Sequence, residues 1–153
     1  MKNIIILFCI LFLYSGQVFS QNAITHIDFI NEVADKNQTT FEDGVYFFVM
    51  VMGKNPGSFE KNINYLNKEG LTKGINLQKD SPLRRGAFAL MMARHLDLQD
   101  SLLFLIFKTE RYAYRVCAAN GIMSYEGSEW DTLSGGELIE IMTKVSELSG
   151  GNE

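Results

Sequence analysis

From Ile24 onward the apolar residues of this chain recur three and four positions apart. That is the spacing of a helix with one buried face. The last such segment is the clearest. Leu138, Ile141, Met142, Val145 and Leu148 share one stripe, and Glu137, Glu140, Lys144 and Glu147 lie opposite. The two-residue alternation of a half-buried strand is hard to find anywhere. Helices are predicted near 24–36, 41–53, 58–69, 82–96, 99–108, 109–120 and 135–148. Punctuation supports these bounds. Ser81-Pro82, Ser58-Phe59 and Thr109-Glu110 read as helix starts, and Gly70 and Gly121 as C-terminal caps.

The first 20 residues follow a different pattern. Lys2 precedes an unbroken apolar run of eleven, Ile4 to Tyr14, and Val18-Phe19-Ser20 closes it. This is the three-part form of a secretory signal, and the run is short of the roughly 20 residues a membrane span needs. The expectation is a leader over 1–20, a single helical domain over 21–149 and a flexible tail over 150–153. Without the leader, 13 basic residues face 18 acidic ones, a net charge of −5, and Cys117 is the one cysteine left. One thiol forms no internal disulfide, so the fold must rest on its apolar core. The acidic balance argues against nucleic acid, which needs a basic face. No later run reaches spanning length, so the expected product is exported, periplasmic or envelope-associated, with no transmembrane segment after cleavage.

The helices also resemble one another. Leu83-Arg84-Arg85-Gly86-Ala87-Phe88 lies over Leu133-Ser134-Gly135-Gly136-Glu137-Leu138 at an offset of 50, and Met91, Met92 and Leu98 continue over Ile141, Met142 and Leu148. Upstream, Glu69-Gly70-Leu71 lies over Asn120-Gly121-Ile122. A third copy fits at an offset of 42, with Phe41 over Leu83 and Gly44 over Gly86. Glycine in a first helical turn costs helix propensity, so its recurrence suggests close approach of a neighbouring segment. The predicted fold is therefore all-α, with two or three helix-loop-helix units near 24–53, 58–98 and 109–148 packed as one pseudo-repeat domain.

A helix ending in glycine and an aliphatic residue, then a loop, then Leu-x-Arg-Gly opening a second helix resembles the S-layer homology repeat. Gly70-Leu71-Thr72-Lys73-Gly74 looks like its turn, and Ser81 to Ala89 looks like its Thr-Arg-Gly-Glu-Phe segment. The resemblance implies a pseudo-threefold helical domain on an exported protein that grips cell-wall glycan. The polar set is split between copies. Arg85 keeps the arginine, but Ala87 replaces the acid. Ser134 and Glu137 keep the hydroxyl and the acid, but Gly135 replaces the arginine. At an offset of 42 the first copy has neither member of the Thr-Arg pair.

Candidate chemistry is sparse. No His-Glu-x-x-His, Cys-x-x-Cys, calcium-loop, Gly-x-Ser-x-Gly or phosphate-loop pattern is present, and the cofactor expectation is none. Leu133 to Glu137 mimics an ATP-binding-cassette signature, but a serine cap followed by small residues explains it. Cys117 reads as a buried small residue, and His95 as a packing or capping group. Glu126, Glu129 and Asp131 around Trp130 form either a core-anchored loop or, less simply, a hydrolase-like carboxylate set. The basic residues gather at the middle unit, where Arg84 and Arg85 add charge to a helix N-terminus. The expected binding residues for glycan or an anionic partner are Lys73, Gly74, Arg84, Arg85, Trp130, Ser134 and Glu137. The expected function is non-enzymatic docking to cell-wall glycan. The alternative is an adaptor that binds another envelope protein through apolar helices, with 102–107 and 45–52 holding more apolar surface than one helix face buries.

Overall fold

The structure, a computed structural model, describes residues 26–150; the expected leader and the last three residues lie outside the described residues. Residues 26–34 form α1. Then follow α2 (Phe41–Val51), α3 (Phe59–Lys68), α4 (Arg85–His95), α5 (Leu102–Phe107), α6 (Glu110–Ala119) and α7 (Gly135–Gly150). The described residues are all-α, with only two isolated bridges outside the helices, Thr40 to Pro82 and Arg84 to Thr132.

Local chemistry sets the ends. Ser58 accepts from the Lys61 N–H and starts α3. Gly70 and Gly121 take the left-handed conformation (φ +74° and +71°), and the buried residues after them, Leu71 and Ile122, donate back to Leu66 and Cys117 at 3.0 and 2.9 Å. That is the hydrophobic C-terminal closure glycine permits. Ser81-Pro82 does not start α4. The cap position is Arg84, and it makes no side-chain capping bond. The reason is that residues 82–84 stay extended and bond to other parts of the chain.

Those bonds close a ring. The Leu83 N–H donates to the Thr39 carbonyl at 2.8 Å, Thr39 N–H to Leu133 at 2.8 Å, and Leu133 N–H to Leu83 at 2.9 Å. Thr39, Leu83 and Leu133 are all buried. Two residues after each, a helix begins: α2 at Phe41, α4 at Arg85 and α7 at Gly135. These helix starts bond round the same ring, Phe41 to Ser81, Arg85 to Asp131 and Gly135 to Lys36. The ring thus joins Leu83 and Leu133, which the sequence overlay aligns, but the residue it adds from the first segment is Thr39 rather than Phe41. By position in the ring, the first segment is offset by 44 rather than 42.

The shift changes the first copy's polar set. Thr40, not Glu42, takes the place of Ser134, and Asp43 takes the place of Glu137. Both pairs build the same reciprocal cap. Thr40 N–H donates to Asp43 at 2.9 Å and Asp43 N–H to the Thr40 hydroxyl at 3.3 Å; Ser134 and Glu137 repeat this at 3.0 and 3.3 Å. Each arrangement satisfies two otherwise orphaned donors.

The core is one cluster drawn chiefly from α2, α3, α4, α6 and α7. Phe48 meets Phe88 edge-on at 5.9 Å, and Leu66, Met91, Met92, Leu138 and Met142 are fully buried around them. Gly86 and Gly136 do not share a purpose. A Cβ at Gly86 would sit 2.9 Å from the Glu129 carbonyl oxygen, whereas one at Gly136 meets nothing within 4 Å. The close approach in the last unit falls on Gly135, whose Cβ would overlap the Val33 carbonyl. No helix among the described residues is long and apolar enough to cross a membrane.

Candidate functional site

The N-terminus of α4 carries a loop on its back. Arg85 N–H donates to the Asp131 carbonyl at 2.8 Å and Gly86 N–H to Glu129 at 2.9 Å. These are helix-end donors without helical acceptors, so the loop satisfies them. Gly86 allows the approach because any side chain there would strike Glu129. The loop is tight in itself: Asp131 accepts from Ser128 N–H at 2.8 Å, and the Ser128 hydroxyl from Trp130 N–H at 3.3 Å.

Arg85 straps the loop from the side. Its guanidinium donates to the Glu126 carbonyl at 2.5 Å, pairs with Glu137, and lies 3.9 Å from Asp131. The Tyr114 hydroxyl donates to Ser124 at 2.8 Å and secures the same stretch. Burial alone would raise the Glu137 carboxyl. The Ser134 N–H and hydroxyl and the Arg85 charge outweigh it, and the group is held below the ordinary carboxylate value. Arg85, Ser134 and Glu137 are thus brought together, but their polar atoms are engaged with one another. With only 15% of its side chain exposed, Arg85 positions the loop more than it offers itself to a ligand.

A corresponding ion pair closes the first joint by another route. Gly135 stands where Arg85 stands in the middle segment, and the chain at Val33 fills the space of a side chain. Lys36 supplies the cation instead, 2.8 Å from the buried Asp43. At the third joint Phe41 and Ala87 occupy these places, both buried and apolar.

Trp130 sits at the loop tip with 67% of its surface exposed, so it does not anchor the loop to the core. The Arg84 guanidinium lies over its ring, 5.1 Å from the centroid, and is itself held by Glu110 at 3.1 Å. Such a cation–π contact steadies both partners. Open clefts flank the indole. One, of about 510 Å³, is bordered by Arg111, Arg115 and Tyr125; the other, of about 420 Å³, by Asn76, Gln78, Ser81 and Thr132. Arg84 and Trp130 are therefore together as expected, with Tyr125, Asn76, Gln78 and Thr132 added by the fold. Tyr125 carries a weak sequence signal, an aromatic in a glycine-flanked polar loop. Asn76 and Gln78 carry none.

Lys73 and Gly74 lie elsewhere. They border a different cleft, of about 580 Å³, with Arg94, Leu98, Phe104 and Leu105. Gly74 turns the chain at φ +76°, and Arg94 reaches across to the Leu71 carbonyl at 2.8 Å. The remaining candidates have internal roles. Cys117 is buried with its Sγ 3.5 Å from the Ala89 carbonyl, and burial pushes its pKa up to about 12. His95 packs edge-on against Phe48 at 5.4 Å, and burial lowers its pKa. Among the described residues, no group of three or more His, Cys, Asp or Glu side chains could hold a metal ion.

Comparison with protein-family models, with curated proteins and with solved structures returns no match for this chain.

Proposed function

We propose that this chain is an exported, non-enzymatic module of the cell envelope that docks to cell-wall glycan through the Trp130 face. The observation that carries the proposal is an exposed indole on a loop fixed at four points to one helix start. A sugar presents C–H groups on its ring faces and hydroxyls at its rim. An open indole suits the first, and guanidinium, amide and hydroxyl groups in the flanking clefts suit the second. Rigid mounting lowers the ordering cost of binding. In this arrangement Arg84 steadies the indole, Arg111 and Arg115 meet anionic or hydroxyl groups on one side, and Asn76, Gln78 and Thr132 meet hydroxyls on the other. Arg85, Ser134 and Glu137 hold the platform. The leader-like residues 1–20 and the S-layer homology resemblance support the envelope location and the target.

Co-sedimentation of the chain from Gln21 to Glu153 with purified peptidoglycan sacculi tests this. Truncating a central aromatic costs about 2 kcal/mol in binding, roughly 30-fold. Trp130→Ala should therefore release most of the bound protein while leaving its helical circular dichroism intact. A wild-type chain that stays in the supernatant, or a Trp130→Ala chain that pellets equally well, overturns the proposal.

A further inference from the structure

Helix α5 packs chiefly on α6, and the ring of backbone bonds does not involve it. It is six residues long, and all six are apolar. Ser101 starts it by accepting from Phe104 N–H, and Lys108 ends it in the left-handed conformation at φ +46°. Only Phe104 is buried. Leu102 and Ile106 are 78% and 71% exposed, and Leu103, Leu105 and Phe107 are exposed as well. With about 200 Å² for each such side chain when free, the open apolar surface is roughly 590 Å². That is the upper end of what a monomer leaves uncovered.

The flanks are charged in a particular order. Exposed Asp97 and Asp100 precede the helix, and exposed Lys108 and Arg111 follow it. The open cleft bordered by Leu98 and Leu105 runs alongside. We infer that α5 is a self-association element: two copies of this chain pair through it, antiparallel, about a twofold axis. The charge order selects this occupant. Acid first and base last is complementary to its own reverse, so each Asp100 meets Lys108 of the partner subunit. Parallel pairing would set like charges side by side. A twofold interface also presents each α5 to the cleft beside the other, burying both at once. A lipid surface suits the helix less well. Interfacial helices carry a basic polar face, whereas α5 is introduced by two aspartates on a chain of net negative charge. The patch is smaller than the 800 Å² or so per partner of a stable interface. The dimer is accordingly weak, with a Kd of about 10 to 1,000 µM.

Sedimentation equilibrium of the chain from Gln21 to Glu153 across that concentration range tests the inference. The wild type should pass from monomer to dimer. Ile106→Asp, at an exposed position, should stay monomeric with unchanged circular dichroism and a Kd at least ten-fold weaker. Asp100→Lys and Lys108→Glu should each weaken the dimer several-fold, and the double reversal should restore it. A chain that remains monomeric throughout overturns the inference, as does a dimer insensitive to Ile106→Asp. A double reversal that fails to restore pairing refutes the antiparallel arrangement. Flotation of a monomeric chain with phosphatidylethanolamine–phosphatidylglycerol vesicles would assign α5 to lipid instead. None of these outcomes depends on glycan binding.

Discussion

Two adjacent glycines at the start of α7 should respond to the same substitution with opposite signs. Gly135 is buried and Gly136 exposed, and neither has a positive φ, so alanine fits the backbone at both. At Gly136 an added Cβ meets nothing within 4 Å. Gly136→Ala gains helix propensity and loses unfolded-state entropy, which stabilises by about 0.5 to 1 kcal/mol. At Gly135 the added atom would overlap the Val33 carbonyl oxygen and lie 2.7 Å from its carbon. The start of α7 must then retreat by roughly 1.5 to 2 Å before the contact becomes ordinary. The 2.8 Å bond from Gly135 N–H to the Lys36 carbonyl is lost, and the Thr39–Leu133 bond beside it is strained. A buried backbone group left unsatisfied costs about 1 to 3 kcal/mol. With two bonds affected and the same propensity gain offsetting part, Gly135→Ala should destabilise by about 2 to 4 kcal/mol. Urea denaturation followed by circular dichroism measures both variants against wild type. If Gly135→Ala is neutral or stabilising, the close passage of the Val33 segment behind α7 is wrong. If both variants lose stability equally, the contrast between the two positions is wrong.

The Cys117 thiol, with a pKa near 12, should resist a disulfide reagent at pH 8 in the folded chain and react at once in guanidinium; rapid reaction of the native protein would contradict its burial. The Glu137 carboxyl lies below its ordinary value of 4.5 in the folded state. Its contribution to stability is therefore fully present above that pH and is lost as the pH falls through the lowered value. Urea midpoints between pH 6 and 2 should fall less steeply for Glu137→Gln than for wild type, and parallel curves would remove the carboxylate from the joint.

Much of the helical layout is legible in the apolar spacing, because each helix buries one face. α3, α6 and α7 begin and end within a few residues of their predicted positions. The overlay of Leu83 on Leu133 is legible because the two segments keep the same spacing from a backbone-bonded residue to the helix core. The first segment hides its correspondence. The chain between α1 and α2 is short, and a threonine–aspartate cap replaces the arginine and serine segments, so matching by apolar residues alone slips by two positions. Ser81-Pro82 misleads for a related reason: a cap-like pair opens an extended strip that serves other segments. Apolar content alone also does not separate α2 from α5. α2 lies between α3 and α7 and buries Phe47 and Phe48, whereas α5 packs chiefly on α6. At the candidate site, sequence proximity brings Arg84 near Arg85, but only the fold shows that one faces Trp130 and the other faces inward. Charge and motif point to Lys73 and Gly74, but the turn after α3 carries them to another cleft.

The ring formed by Thr39, Leu83 and Leu133 has a consequence for how the chain assembles. The Thr39–Leu133 contact spans 94 residues. Closing a flexible loop of that length costs about 4 kcal/mol in entropy. Two of the ring's three bonds involve Leu133, so the ring cannot close until the segment that leads into α7 has joined it. A closed ring also has no first or last member. The order in which the chain visits its three helix starts is a matter of covalent connection, separable from the geometry those starts adopt.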